Sequence, residues 1–402
     1  MKPIQAQKTA QCLTTALFLG FIMANPANAQ GFGLSGFVSQ SLDYTDNAAL
    51  DAVSQGATLT SSTSIGLSLL SETPVSSFAL NGSTYLYIAR NPDGSINHEF
   101  GYPNLSASFS DSTSRRRISI GASYAISPAG DGSTFIIDDA DDDGVVDPGE
   151  VTVLLTDARQ TSYALNASYS TDLTARDTLR VAARASFVTF DGNDPDLIAS
   201  DRQMVRLGWS HQLADDLSGG LSLSGAWFQN EAVVPVSSNT TSLSGNIRYD
   251  VNSTTNLAVD LGISKADVDD GTGVSTTYAL SGGADVSIAL ANGSVGAALK
   301  FGIEPTDGGE LLQRVSLGLD YSRAINSVSS ISVALDVAAA GDIGGPFGSG
   351  ERSLSLTPTY RRQLTDDTSA NIGLRYERVG SNPGAESKAV FVGLSKNFNF
   401  LQ

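Results

Sequence analysis

The densest chemistry in the chain is a run of twelve residues, 139–150. It reads Asp139-Ala140-Asp141-Asp142-Asp143-Gly144-Val145-Val146-Asp147-Pro148-Gly149-Glu150. Carboxylates at Asp139, Asp141 and Asp143 converge on one point when the backbone coils tightly, and Gly144 permits the sharp turn that follows. Val145 would then offer its carbonyl oxygen, Asp147 an oxygen directly or through water, and Glu150 both carboxylate oxygens. Hard oxygens at this density suit Ca2+ better than Mg2+, which keeps several waters. The expected metal set is therefore Asp139, Asp141, Asp143, Val145, Asp147 and Glu150, with Ca2+ in a structural role. The competing reading is a solvated acidic loop. The smaller clusters Asp191–Asp196 and Asp267–Asp270 read as solvated loops.

Other reactive groups are scarce. His98 reads as a loop residue, and His211 falls on an apolar strand parity near a strand end. Neither has evident partners for a catalytic triad. No Gly-rich phosphate motif follows a strand and opens a helix. No catalytic residues and no enzymatic activity are expected. A formal net charge of −18 and a pI near 4.4 argue against nucleic acid as a partner, since phosphate contacts need a basic face.

The elements that would carry these residues begin after a leader. Lys2 and Lys8 flank a short apolar core, Leu13 to Met23, and Ala27-Asn28-Ala29 supplies a small-x-small cleavage site. Residues 1–29 thus read as a secretory signal peptide, with an uncleaved helical anchor as the alternative. Its removal takes away Cys12, the single cysteine, and leaves no thiol chemistry. The chain is short of charge, at 16% charged residues, and rich in glycine, at 40 of 402.

From residue 30 the chain alternates with period two. Leu257, Val259, Leu261 and Ile263 interleave with Asp260, Gly262 and Ser264; Val315, Leu317, Leu319 and Tyr321 interleave with Arg314, Ser316, Gly318 and Asp320. Each segment therefore separates an apolar from a polar environment. Strands are expected near 34–45, 58–72, 75–90, 104–111, 115–127, 159–171, 178–190, 202–213 and 218–229. More are expected near 240–250, 256–266, 275–290, 294–304, 313–324, 328–339, 351–363, 369–379 and 388–400. That is about 18 strands, with 16 as the alternative.

Short turns such as Asp215-Asp216 and Asp366-Asp367 alternate with longer acidic or Gly-rich connectors, the longest being 128–158. This segregation fits an all-β, antiparallel, up-and-down transmembrane β-barrel over 30–402, in which strands pair all round because lipid offers the backbone no hydrogen bonds. Tyr169, Tyr249, Tyr321 and Tyr360 each fall on the apolar parity just before a short turn, as an interfacial girdle would. From Arg206 onward the polar parity carries Arg206, Arg248, Lys300, Arg314, Arg361 and Arg375 against Asp260, Asp285, Glu304, Asp320, Asp336 and Glu377. The two signs balance, which suits a wet bore; a bore closed by ion pairs is the alternative.

The last residues, Val392-Gly393-Leu394-Ser395-Lys396-Asn397-Phe398-Asn399-Phe400, resemble the closing strand of Gram-negative outer-membrane β-barrels. The chain departs from that pattern by running on through Leu401 and Gln402 and by placing Lys396 on the apolar parity, where it would have to snorkel. The resemblance implies an outer-membrane, porin-like protein whose partners are outer-membrane lipid, the barrel assembly machinery and small polar solutes.

Residues 139–150 in turn resemble the EF-hand loop, but β-type residues flank them where helices would stand. This favours a calcium-ordered surface loop over a helix-opening switch. The resemblance to porins implies that this loop can fold into the bore. Three functions fit: a passive channel for small polar solutes, an accessory barrel for polysaccharide export, and a structural or adhesive surface barrel. Asp43-Tyr44-Thr45-Asp46-Asn47 resembles export barrels over five residues.

Overall fold

Alternating residues punctuated by Asp, Asn, Gly and Ser turns build one continuous antiparallel sheet. The computed structural model describes residues 31–50, 52–128, 159–191, 197–232, 234–269, 271–305, 311–342, 352–380 and 384–401. The leader expected at 1–29 and the acidic loop at 139–150 lie outside the described residues.

The strands are β1 (Gly31–Thr45), β2 (Thr58–Glu72), β3 (Ser76–Arg90), β4 (Ile96–Phe100), β5 (Asn104–Ser112) and β6 (Arg116–Pro128). They continue as β7 (Arg159–Asp172), β8 (Asp177–Asp191), β9 (Ser200–Ala214), β10 (Leu217–Asn230), β11 (Ser237–Asn252), β12 (Thr255–Asp269) and β13 (Val274–Leu290). The last are β14 (Gly293–Pro305), β15 (Leu311–Asn326), β16 (Ser329–Asp342), β17 (Arg352–Thr365), β18 (Thr368–Val379) and β19 (Ala385–Leu401).

Apart from β4, strands pair with the next along the chain, and β1 pairs with both β2 and β19, so the sheet closes on itself. One element was not anticipated. The short β4 pairs with Leu86–Arg90 of β3, while β5 pairs with Ser76–Ser83 of the same strand. The two share one position in the wall, and the barrel is 18-stranded, as the alternation indicates. Gly101, at a positive φ of 93°, separates β4 from β5. His98 therefore lies within β4 and not in a loop. The strand escapes a sequence reading because only five residues form it and Asn97-His98-Glu99 breaks the apolar pattern.

Connections segregate by length. Asp215-Asp216, Ser253-Thr254, Ala291-Asn292, Ser327-Val328 and Asp366-Asp367 close one rim, and the strand ends that border the longer intervals, Pro128 and Arg159 among them, stand at the other. The ends of the barrel meet at the short-turn rim, where Leu34 opposes Leu401.

Burial is inverted relative to a water-soluble protein. Leu261 is 63% exposed and Ile263 59%, whereas their strand neighbour Ser264 is 3% exposed. The same outward apolar set runs through Leu221, Leu223, Leu243, Ile247, Leu280, Leu374 and Val392. A continuous apolar band of this kind belongs against hydrocarbon.

Inside, large side chains lie across facing glycines. A Cβ at Gly66 would fall within the Phe37 ring, and one at Gly373 within the Phe391 ring. These glycines let an inward aromatic lie flat against the neighbouring strand.

Candidate functional site: the bore and its arginine wall

Residues that face the bore share a parity on each strand, and their registers place them in rows. Hydroxyls bridge neighbouring strands along much of the wall. Ser222 pairs with Ser244 at 2.7 Å, Ser242 with Ser264 at 2.8 Å, Ser119 with Ser168 at 2.7 Å and Ser41 with Ser62 at 2.6 Å. Serine suits this place because it is small enough for the crowded inner surface and hydrogen-bonds across strands.

The sharpest feature is on β8 and β9. Register Arg180↔Gly208, Ala182↔Arg206, Arg184↔Met204 and Ser186↔Arg202 sets four arginines in four successive inward rows. With a strand rise of about 3.4 Å per residue, successive rows stand roughly 7 Å apart along the wall. All four arginines are exposed. Arg206 donates from Nη2 to the Ser222 hydroxyl at 3.0 Å, and the Arg202 guanidinium lies over the Phe228 ring at 5.9 Å. Among the described residues no carboxylate stands within ion-pair distance of Arg180, Arg184 or Arg206. The inward positions of β8 and β9 include no acid.

The even mixture of charges read from Arg206 onward therefore does not describe the whole bore. Asp260, Asp285, Asp320 and Asp336 do face inward on β12, β13, β15 and β16, together with Lys300 and Arg314. The β8–β9 wall is basic by itself. Its signal was present upstream, where Val181, Ala183, Ala185 and Phe187 alternate with Arg180, Arg184 and Ser186.

The wall half-way round is closed and paired. Arg375 on β18 donates from Nη2 to Asp43 on β1 at 3.1 Å, with the Glu377 carboxylate 3.8 Å from its Nε. The side chains are only 9% exposed for Arg375 and 18% for Asp43 and Glu377. Phe391 and Ala389 beside them are buried. The arginines of β8 and β9 are thus exposed where Arg375 is packed.

The segment Asp43–Asn47 has a structural account. Besides the Asp43–Arg375 pair, the Thr45 and Ser387 hydroxyls meet at 2.9 Å. Lys388 donates its backbone N–H to the Asp46 carboxylate at 2.7 Å, and the Asn47 amide donates to the Glu386 carbonyl at 2.9 Å. These residues stitch β1 to β19 where the cylinder closes.

Near the short-turn rim, Tyr169 and Tyr249 are outward and exposed, and the Tyr360 hydroxyl donates to Ser329 at 3.1 Å. Lys396 reaches from its outward position to Asp367 in the β17–β18 turn, 3.4 Å away, and lies over the Phe398 ring at 5.7 Å. This is the snorkelling its parity requires. Phe398 and Phe400 stack at 6.3 Å. His211 pairs with Asp177 at 2.8 Å and stacks on Trp209.

No protein-family model matches the sequence, and no curated protein does either. Solved structures of similar shape include OpdL of Pseudomonas aeruginosa, 10% identical, with 92% of this chain and 99% of that one covered at a TM-score of 0.48. OccAB3 of Acinetobacter baumannii is 9% identical over 92% of this chain and 99% of its own, at 0.49. The FrpB iron transporter of Neisseria meningitidis is 9% identical over 87% and 62%, at 0.50. At these identities the likeness is one of fold.

Proposed function

We propose that the chain is a Gram-negative outer-membrane channel for the passive passage of small polar solutes, with an arginine wall that draws anions along one side. The observation that carries this reading is the charge-and-exposure pattern of β8 and β9. Guanidinium groups are exposed on the face opposite the apolar band, in successive rows, and among the described residues no carboxylate stands beside Arg180, Arg184 or Arg206. Arginines that served only to hold the wall together would be paired and buried, as Arg375 is. Exposed cations in a narrow polar bore raise the local concentration of anions.

In this reading residues 1–29 are removed on export, the short turns face the periplasm, and the long connectors face outward. The loop at 139–150 binds Ca2+ through Asp139, Asp141, Asp143, Val145, Asp147 and Glu150 and orders the outer mouth. The test is a planar bilayer recording of purified protein. Stepwise, ohmic conductance with a reversal potential on the anion side is expected. Insertion of folded barrels without conductance would refute the channel.

A further inference from the structure

A further inward arginine adjoins the β8–β9 wall. Arg117, near the start of β6, lies in register with Ser112 of β5 on one side and Ser170 of β7 on the other. Ser170 in turn faces Arg180 of β8, so Arg117, Ser170 and Arg180 stand in one row. Their parity is that of the bore. Ser119 and Ser168, in the next row along, share it and join hydroxyls at 2.7 Å, while Tyr169 and Val181, on the other parity, are exposed in the outward band. With strands about 4.8 Å apart, the two arginine Cα atoms stand roughly 10 Å from each other, with one serine between them.

This row lies just inside the short-turn rim, where two turns add bases. The carbonyls of Arg115 and Arg176 accept backbone N–H groups from Asp172 and Gln212, each at 2.8 Å, which ties both turns to the neighbouring strands. Arg115, Arg117, Arg176 and Arg180 are exposed, and among the described residues none has a carboxylate within ion-pair distance. The acids of this sector are engaged elsewhere. Asp172, which shares the inward parity, accepts from the Thr178 hydroxyl at 2.8 Å. Asp177 turns outward to His211 at 2.8 Å and accepts from Thr174 at 2.6 Å. Asp111, also outward, stands 3.8 Å from Arg116. Asp215 and Asp216 in the β9–β10 turn and Glu72 at the end of β2 bound the sector on either side. The Ser170 hydroxyl makes no hydrogen bond among the described residues.

Two forked cations with a hydroxyl donor between them suit one doubly charged group. We propose that Arg117, Ser170 and Arg180 bind the phosphate of a small solute, as the free ion or as a phosphomonoester, at the short-turn mouth of the bore. Each guanidinium donates a pair of N–H groups to phosphate oxygens, and Ser170 donates its O–H. A carboxylate has two oxygens and one charge, which a single fork satisfies. A phosphate dianion has a third oxygen and a second charge, and so engages both arginines at once. Arg115 and Arg176 lie beyond, at the rim, and keep the potential positive where the solute leaves or enters. The inference deepens the channel reading and rests on it for the direction of traffic, but its test is a binding measurement that needs no conductance.

The full chain, purified in a non-ionic detergent, is titrated calorimetrically with inorganic phosphate, glycerol 3-phosphate, succinate and acetate at about pH 8, well above the second phosphate ionisation near 6. At least one of the two phosphates should bind tenfold or more tighter than succinate and acetate, and which of them does so names the solute as free ion or ester. Arg117→Gln and Arg180→Gln should each weaken that binding at least tenfold, and the double variant by less than the product of the two, because both arginines hold one group. Arg117→Lys keeps the charge but loses the fork and should weaken it at least threefold. Succinate or acetate held as tightly as phosphate, single effects that multiply, or an unchanged affinity in a folded Arg117→Lys variant each overturns the proposal and leaves only attraction by separate charges. The wild-type comparison of the four anions decides the matter even if a variant fails to assemble. If the wild type binds phosphate selectively but conducts nothing, the channel reading fails and this site stands.

Discussion

Replacing Arg180, Arg184 and Arg206 by glutamine removes three successive rows of positive charge and leaves side chains of similar length in the wall. An ion passing about 6 Å from one guanidinium in a medium of dielectric constant near 80 gains or loses roughly 0.7 kcal/mol. That is about a threefold enrichment of anions and an equal depletion of cations at each row, since 1.4 kcal/mol corresponds to a factor of ten. Rows roughly 7 Å apart lie within the Debye length of about 10 Å at 0.1 M salt, so their fields overlap along the path. The anion-to-cation permeability ratio should fall about tenfold in the triple variant at ~0.1 M salt, and much less near 1 M, where screening shortens to about 3 Å. Reversal potentials across a salt gradient measure the ratio directly. Arg→Lys at the same positions should preserve it, because the charge and not the fork acts on a passing ion. An unchanged reversal potential in a folded glutamine variant would show that these arginines do not face the conducting path.

Four further outcomes are expected. Glu150→Gln with Asp139→Asn should abolish Ca2+-dependent protection of 128–158 against protease while the barrel stays folded; identical wild-type cleavage with and without chelator would leave only an acidic loop. Gly373→Leu drives a side chain into the Phe391 ring and should destabilise the barrel by about 1–3 kcal/mol, read as a lower denaturation midpoint; an unshifted midpoint would mean the ring moves aside freely. Deleting Phe398 to Gln402 removes the stacked rim aromatics and most of the β1 register at that end, so heat-modifiable barrel should be lost from the membrane fraction; normal assembly would contradict this. In the β17–β18 turn, the Thr365 and Thr368 hydroxyls, with Lys396 alongside, hold the Asp367 carboxyl down at about 2. Its folded value lies below the usual 3.8, so its contribution is complete above that pH and fades as pH falls toward 2. Carboxyl carbon NMR of this residue gives the value, and titration near 4 would refute the arrangement.

The barrel was legible in the sequence because its cause is local. Period two, apolar on one parity and polar on the other, specifies a strand between two solvents, and a change of one residue in register would turn every side chain of a strand such as Leu257–Ser264 to the wrong side. Turn residues at Asp215-Asp216 and Asp366-Asp367 and the longer connectors between them fixed which rim is which. The rim role of Lys396 was equally readable, since an ammonium on the apolar parity has to reach water, and Asp367 supplies its partner there.

Other features needed the tertiary structure because they arise between strands. β4 exists because the upper part of β3 has an edge to fill, not because Asn97-His98-Glu99 prefers a strand. Asp43 and Arg375 are 332 residues apart, and only closure of the cylinder makes them a pair. The arginine wall lay half in view. Each guanidinium sat on a readable parity, but the stagger of β8 against β9 turns four separate charges into consecutive rows, and stagger is set by the pairing of whole strands rather than by any residue within them.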